Sequence, residues 1–299
     1  METAGFVVVD KQSAMTSHDV VARVRRLAGT RRVGHGGTLD PMATGVLVIA
    51  VGRATRLLTY VTGSDKEYRA TMRLGQSTVT DDAEGEPTGG APADEVTDEA
   101  VRAGLAAQTG PIQQVPSSVS AIKVNGQRAY KRVRDGDEVT LAARPVTVSR
   151  LDVNDLRRAA GGLLDVDVTV ECSSGTYIRA IARDLGATLG VGGHLTALRR
   201  TRVGGFTLAE AATLDDLAAR DSPVPVSLAA AAERILPRRD VDGETARRLA
   251  HGAPLDTTGL AERYAVFGPD GILLAVVRER GGQARPEIVL ATPEELAAR

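Results

Sequence analysis

Gly34-His35-Gly36-Gly37-Thr38-Leu39-Asp40-Pro41-Met42-Ala43-Thr44-Gly45 runs directly into Val46-Leu47-Val48-Ile49-Ala50-Val51. A carboxylate therefore sits between a glycine-rich loop and a continuous apolar run of the kind that forms a strand buried on both faces. Glycines at 34, 36 and 37 let backbone approach a ligand closely or turn with φ > 0. Pro41 disfavours the α region for Asp40, so the carboxylate is expected in extended backbone at the mouth of the strand. Loops held by a rigid scaffold are where chemistry concentrates. A lone Asp-Pro pair, by contrast, reads as a turn cap. The neighbouring sequence has to decide between the two.

Upstream, Phe6-Val7-Val8-Val9 reads as a short buried strand. Thr16 or Ser17 supplies an N-cap, and Val20, Val21, Val24 and Leu27 carry helical spacing up to Gly29. Residues 81–96 are rich in Gly, Pro, Asp and Glu and are expected to form an exposed loop. A short helix follows from about Thr97 to Gln108. The stretch from Pro111 to about Pro145 lacks clear periodicity, carries many basic residues and reads as an insertion. Leu164, Val166, Val168, Val170 and Cys172 then alternate with polar residues, the pattern of a half-buried strand. After Gly175 the period changes: Ile178, Ile181, Ala182, Leu185 and Leu189 share a helical face, with Arg179 and Arg183 off it. An Ala-rich helix is expected up to Leu236, and Pro237-Arg238-Arg239-Asp240 as a linker. Tyr264–Phe267 and Ile272–Val277 flank a Gly-Pro-Asp-Gly turn and read as a β-hairpin.

The single cysteine, Cys172, excludes an intrachain disulfide and a cysteine-based zinc site within one chain. No run approaches the roughly 20 apolar residues of a membrane span. The start lacks the basic and apolar regions of a signal peptide, so a cytoplasmic protein is expected. A net charge of −1 argues weakly against nucleic acid as a partner, yet the charges are unevenly placed. Basic residues gather at Arg23–Arg32, at Lys123, Arg128, Lys131, Arg132 and Arg134, and at Arg199, Arg200 and Arg202, while acidic ones gather at 81–86 and 94–99. Such polarisation is compatible with RNA binding, and equally with ordinary solvated faces.

The opening stretch resembles the catalytic motif of the TruB family of tRNA pseudouridine synthases. Lys66-Glu67-Tyr68-Arg69-Ala70, Gln113-Gln114-Val115-Pro116, Cys172-Ser173-Ser174-Gly175-Thr176-Tyr177-Ile178-Arg179 and His194-Leu195-Thr196-Ala197-Leu198-Arg199-Arg200 continue the resemblance in family order. The resemblance implies an α+β fold: a catalytic domain over 1–236 with a mixed, largely antiparallel sheet and flanking helices, and a small β-rich PUA-like RNA-binding domain over 237–299. It also implies isomerisation of uridine 55 in the T loop of tRNA to pseudouridine. The tRNA T arm is the expected partner, with neither cofactor nor metal, and the protein is expected to be a monomer.

That reaction breaks the N1–C1′ bond, turns the uracil and rebonds it through C5. No electrons are exchanged and no group is delivered, so a carboxylate suffices, by attack at C1′ or by removing the C2′ proton. By resemblance Asp40 takes this role. Tyr68 stacks on the flipped uracil and takes the C5 proton, Arg179 pairs with Asp40, and Tyr177 and Leu198 line the uracil pocket. His35 fills the space the base vacates, and Asp82 partners Arg179 or the displaced nucleotides. Lys11 is retained from the family's Asp-Lys-Pro, here Asp10-Lys11-Gln12, and is expected to bind substrate. Lys123 and Lys131 are expected to contact phosphates from a basic thumb spanning 111–145. Gln12 in place of Pro, and Ser174 where Lys is frequent, depart from the family pattern. Two other functions use the same residues: a glycoside or nucleoside hydrolase with Asp40 as nucleophile, which needs a second carboxylic acid nearby, and a protein that reshapes tRNA without catalysis.

Overall fold

The computed structural model describes residues 4–117, 123–124, 127–128 and 141–291. Its strands, in chain order, are β1 Gly5–Lys11, β2 Val33–His35, β3 Thr44–Val51, β4 Lys66–Leu74, β5 Ser77–Thr78, β6 Pro87–Gly89, β7 Gly110–Gln114, β8 Lys123–Val124, β9 Gln127–Arg128, β10 Arg144–Ala159, β11 Leu163–Cys172, β12 Gly193–Val203, β13 Phe206–Thr207, β14 Arg238–Asp240, β15 Arg263–Phe267, β16 Leu273–Arg280 and β17 Gln283–Val289. Lys131 lies outside the described residues, and Lys123 is described only as part of β8.

Among the described residues nine strands form one sheet, in the order β1-β3-β12-β4-β11-β10-β7, with β2 and β13 on its flanks. Every pairing is antiparallel except β3 with β12, where Arg199 and Arg200 lie beside Thr44 and Gly45. This parallel joint brings the end of the glycine-rich loop against β12. A side chain at Gly45 would meet the Arg200 carbonyl oxygen at 2.2 Å, and its φ is +98°, so glycine is required there. On β4, Lys66, Tyr68, Ala70, Met72 and Leu74 point inward and their neighbours outward, as period two demands. Register then sets Tyr68 beside Arg200 on one strand and Val170 on the other.

The helix Ser17–Leu27 starts at Thr16, whose side chain forms a capping box with Asp19. Ser17 is thereby freed to hold the loop: its Oγ donates to the Leu39 carbonyl at 3.1 Å and accepts from the Leu39 amide at 2.9 Å. The helix Ile178–Thr188 buries Ile178, Ile181, Ala182 and Leu185, and Gly186 lets it lie against the backbone of Gly192 and Gly193. Arg179, off the apolar face, is nonetheless buried.

Three expectations need correction. The ends of the supposed insertion belong to the sheet, since Gly110–Gln114 pairs with Arg144–Val148. The stretch 81–96 is not wholly exposed, because Asp82, Ala93 and Val96 are buried. The supposed linker is β14, which pairs in parallel with β15 and completes a second, four-stranded sheet, β14-β15-β16-β17. That sheet shares a core with the first. Ala265, Phe267, Leu273, Val276 and Leu290 pack with Phe6, Val8, Val46, Val48 and Phe206. Tyr60 also donates to Glu287 at 3.0 Å, and Arg56 to the Val289 carbonyl at 2.6 Å.

Phe267 is fully buried at this junction. Phe267→Ala should therefore cost about 3–5 kcal/mol and lower a single thermal transition of the whole chain. Calorimetry showing two transitions, with only one moved, would mean that the two sheets melt separately.

Candidate active site

The loop from Gly36 to Ala43 is held by its carbonyl oxygens. Lys11 continues the inward face of Val7 and Val9 on β1, is 1% exposed, and donates to the carbonyls of Gln12 (2.9 Å), Pro41 (3.0 Å) and Ala43 (2.6 Å). Burial lowers its pKa to about 8, against the opposing pull of Asp40 and Glu84. Arg200 is also 1% exposed and donates to the carbonyls of Val46 (2.8 Å), Gly37 (3.0 Å) and Thr38 (3.3 Å). Both cations are engaged by backbone, and charge-assisted bonds of this kind are worth about 1.5–3 kcal/mol each.

Asp40 emerges from this loop with its side chain 35% exposed. Arg179 Nε lies 3.1 Å from its Oδ2, and Arg179 Nη1 lies 3.3 Å from Asp82 Oδ2 and donates to the Thr80 carbonyl at 2.8 Å. Asp82 is 3% exposed and is held by the Thr80 hydroxyl and by the Glu84 amide at 3.1 Å. Desolvation raises the Asp40 carboxyl above its usual range, and the Arg179 guanidinium pulls it back down. Asp40, Tyr68, Tyr177, Arg179, Leu198 and Arg200 line one cleft of about 570 Å³. Tyr68 is buried, which raises the pKa of its phenol. Lys66 also lines the cleft; it donates to the Thr62 and Ser64 carbonyls, and burial lowers its pKa to about 8.

The structure thus brings together Asp40, Tyr68, Tyr177, Arg179, Leu198 and Asp82. His35 lies on β2 with its ring edge-on to His18, centroids 5.7 Å apart. Lys11 is directed at loop carbonyls, so its placement differs from that of a substrate contact. The basic run 199–202 is likewise engaged internally: Arg199 pairs with Asp10 at 2.7 Å, and Arg202 with Asp65 at 2.8 Å and with Glu171. Sequence reading missed Arg200 and Ser17 as holders of the loop. The signal for Arg200 was available, because it shares strand parity with the pocket residue Leu198.

Residues 25–178 match the sequence profile described as TruB family pseudouridylate synthase (N terminal domain). The chain belongs to the TruB family. Residues 179–225 match the tRNA pseudouridylate synthase B C-terminal domain, and residues 236–291 the profile tRNA Pseudouridine synthase II, C terminal. The tRNA pseudouridine synthase B of Arthrobacter sp. (strain FB24) is 58% identical over 302 residues, covering 98% of each chain. That of Paenarthrobacter aurescens (strain TC1) is 57% identical over 298 residues, covering 96% of this chain and 95% of the relative. A chain in the structure of an H/ACA RNP bound to a substrate RNA containing 2'-deoxyuridine superposes with a TM-score of 0.72 at 25% identity, covering 98% of this chain and 87% of that one.

In this TruB chain the buried ammonium of Lys11 shapes the turn after Asp40. Lys11→Met removes the donor that the Ala43 carbonyl accepts from, at about 1–3 kcal/mol, while the Pro41 carbonyl keeps the Ala14 amide at 3.0 Å. Turnover should fall about a hundredfold through misplacement of Asp40, with RNA affinity nearly kept. Rate and affinity measured on the same RNA check this; weakened binding at an unchanged rate would make Lys11 an RNA contact instead.

Proposed function

We propose that this protein isomerises uridine 55 in the T loop of tRNA to pseudouridine. Conversion of uridine to pseudouridine in tRNA is the activity of its family relatives, and the cleft contains the groups such chemistry needs. The observation that carries the reading is the ion pair of Arg179 with Asp40 at 3.1 Å, set in the same cleft as Tyr68. A planar guanidinium keeps the carboxylate ionised and aims it. The target base leaves its stack and enters the cleft, at a cost of a few kcal/mol. Asp40 then attacks C1′ or removes the C2′ proton as the glycosidic bond breaks and the uracil leaves as its anion; the uracil turns, and C5 bonds to C1′ as the carboxylate is displaced or the C2′ proton is returned. Tyr68 lies against the base and takes the C5 proton as its own phenolic proton is passed on, and N1 gains one proton, so none is gained or lost overall. Tyr177 and Leu198 line the base pocket, and His35 fills the gap left in the RNA stack. The reaction is redox-neutral and conserves every atom, so it calls for no cofactor or metal.

In this reading residues 1–236 form the catalytic unit and residues 237–299 grip RNA away from the flipped base. The basic segment containing Lys123 and Lys131 contacts phosphates of the T arm and positions it. The protein works as a monomer in the cytoplasm, where tRNA is found. Hydrolysis of a glycosidic bond is disfavoured because neither carboxylate near Asp40, Asp82 buried on Arg179 or Glu84 beside it, lines the cleft, so both are out of place to protonate a leaving group there.

Asp40→Asn keeps shape and removes charge and basicity. Tritium release from a 5-³H-uridine T-arm stem-loop should fall by at least about 10³-fold, with RNA affinity nearly unchanged. Residual turnover within tenfold would assign the chemistry to another group, and release of free uracil by the unaltered protein would indicate hydrolysis. Because the Asp40 carboxyl is raised by desolvation and acts ionised, wild-type turnover should decline as pH falls, with a midpoint above that of an ordinary aspartate.

A further inference from the structure

Among the described residues two non-glycines adopt positive φ, Ala14 and Asp81, the latter at 59°. A left-handed L-residue persists where its surroundings hold it, and aspartate tolerates the region better than most. Asp81 is held at several points. Its Oδ2 accepts from the Ser117 hydroxyl at 2.6 Å and from Arg183 Nη1 at 3.3 Å. Its carbonyl accepts from the Leu195 amide at 3.0 Å. Arg183 also donates through Nη2 to the Val115 carbonyl at 2.8 Å.

Arg183 follows Arg179 by four residues, one turn along the same helix. Two arginines on one helix therefore grip two consecutive aspartates: Arg183 holds Asp81, and Arg179 holds Asp82 together with the Thr80 carbonyl. The segment Gln114–Ser117 is fastened to the same region a second time. The Gln114 side chain accepts from the Tyr177 amide at 2.7 Å and donates to the Tyr177 carbonyl at 3.1 Å, at the start of that helix.

We propose that Asp81 is a positioning residue for the catalytic aspartate. By fastening the turn 80–82 to Ser117 and Arg183, it keeps Asp82 and the Thr80 carbonyl where they seat the Arg179 guanidinium on Asp40. Asp81 is not among the residues that line the cleft; it acts through Asp82 and Arg179. The inference rests on the reading of Asp40 as the catalytic carboxylate.

The test uses the full chain with the single variants Asp81→Gly, Asp81→Asn, Ser117→Ala and Asp40→Asn, and with a double variant that joins Asp81→Gly to Ser117→Ala. Glycine accepts the left-handed backbone without strain, so Asp81→Gly removes the tether and keeps the turn. Single-turnover rate at saturating T-arm RNA, RNA affinity and thermal midpoint are measured for each. Asp81→Gly should slow the reaction about tenfold or more, with affinity within about twofold. Asp81→Asn, which keeps an acceptor for Ser117, should recover part of the rate. Ser117→Ala should slow the reaction alone and add nothing to Asp81→Gly, since both cut one tether. A wild-type rate in Asp81→Gly would overturn the proposal, as would losses that multiply in the double variant or appear as weakened RNA binding. If Asp81→Gly fails to melt cooperatively, a wild-type rate in Ser117→Ala overturns the proposal on its own. An active Asp40→Asn would refute the catalytic reading itself, whereas an inactive one beside a fast Asp81→Gly refutes the positioning role alone.

Discussion

A guanidinium buried between two carboxylates governs this site. Arg179 is 5% exposed and faces Asp82, at 3%, on one side and Asp40, at 35%, on the other. The asymmetry assigns the roles. Asp82 is withdrawn from solvent, tied to the Thr80 hydroxyl and the Glu84 amide, and serves as the fixed partner. Asp40 stands at the cleft with room to react. One positive charge between two negative ones would leave the site unbalanced, and the nearby cations Lys11 and Arg200 offset the excess on Asp40. Removing Arg179 would leave two poorly solvated carboxylates facing each other, a costly outcome for groups already taken from water.

The rest of the fold keeps that geometry in place. The parallel joint between β3 and β12 is the one departure from antiparallel pairing in the main sheet among the described residues, and it is where the loop bearing Asp40 meets Arg200. Lys11, Ser17 and Arg200 hold the loop through its backbone from three different elements. None of them needs to touch substrate to matter. A loop whose carbonyls are fixed by buried donors loses little conformational entropy when the RNA arrives, which is the physical content of preorganisation. The second sheet supports the same strands from behind, through the core shared by Phe267, Val46 and Val48.

Much of this was legible in the sequence, for identifiable reasons. The alternation from Leu164 to Cys172 and the helical face from Ile178 to Leu185 are strong periodic signals, and both elements formed as expected. The motif around Asp40 and its placement beside Arg179 were legible through family resemblance, since spacing alone does not bring residues 40, 82 and 179 together. What escaped was set by long-range pairing. Gly110–Gln114 lacks a pattern of its own and becomes strand because Arg144–Val148 pairs with it. Arg238–Asp240 looks like a linker because polar residues dominate it, yet it is an edge strand of the second sheet. Arg199 and Arg202 belong to a basic cluster that is compatible with RNA binding by charge, but their partners Asp10, Asp65 and Glu171 lie far away in sequence.

In the proposed mechanism the Arg179 guanidinium acts as an orienting fork rather than as a mere positive charge. Single-turnover tritium release from a 5-³H-uridine T-arm stem-loop, comparing Arg179→Lys with the unaltered protein at saturating RNA, separates the two. An ammonium keeps the charge but cannot span Asp40 and Asp82 in a fixed planar geometry. The expected result is a loss of about a hundredfold or more in rate, with RNA affinity nearly unchanged. A lysine variant as fast as the arginine protein would contradict the orienting role.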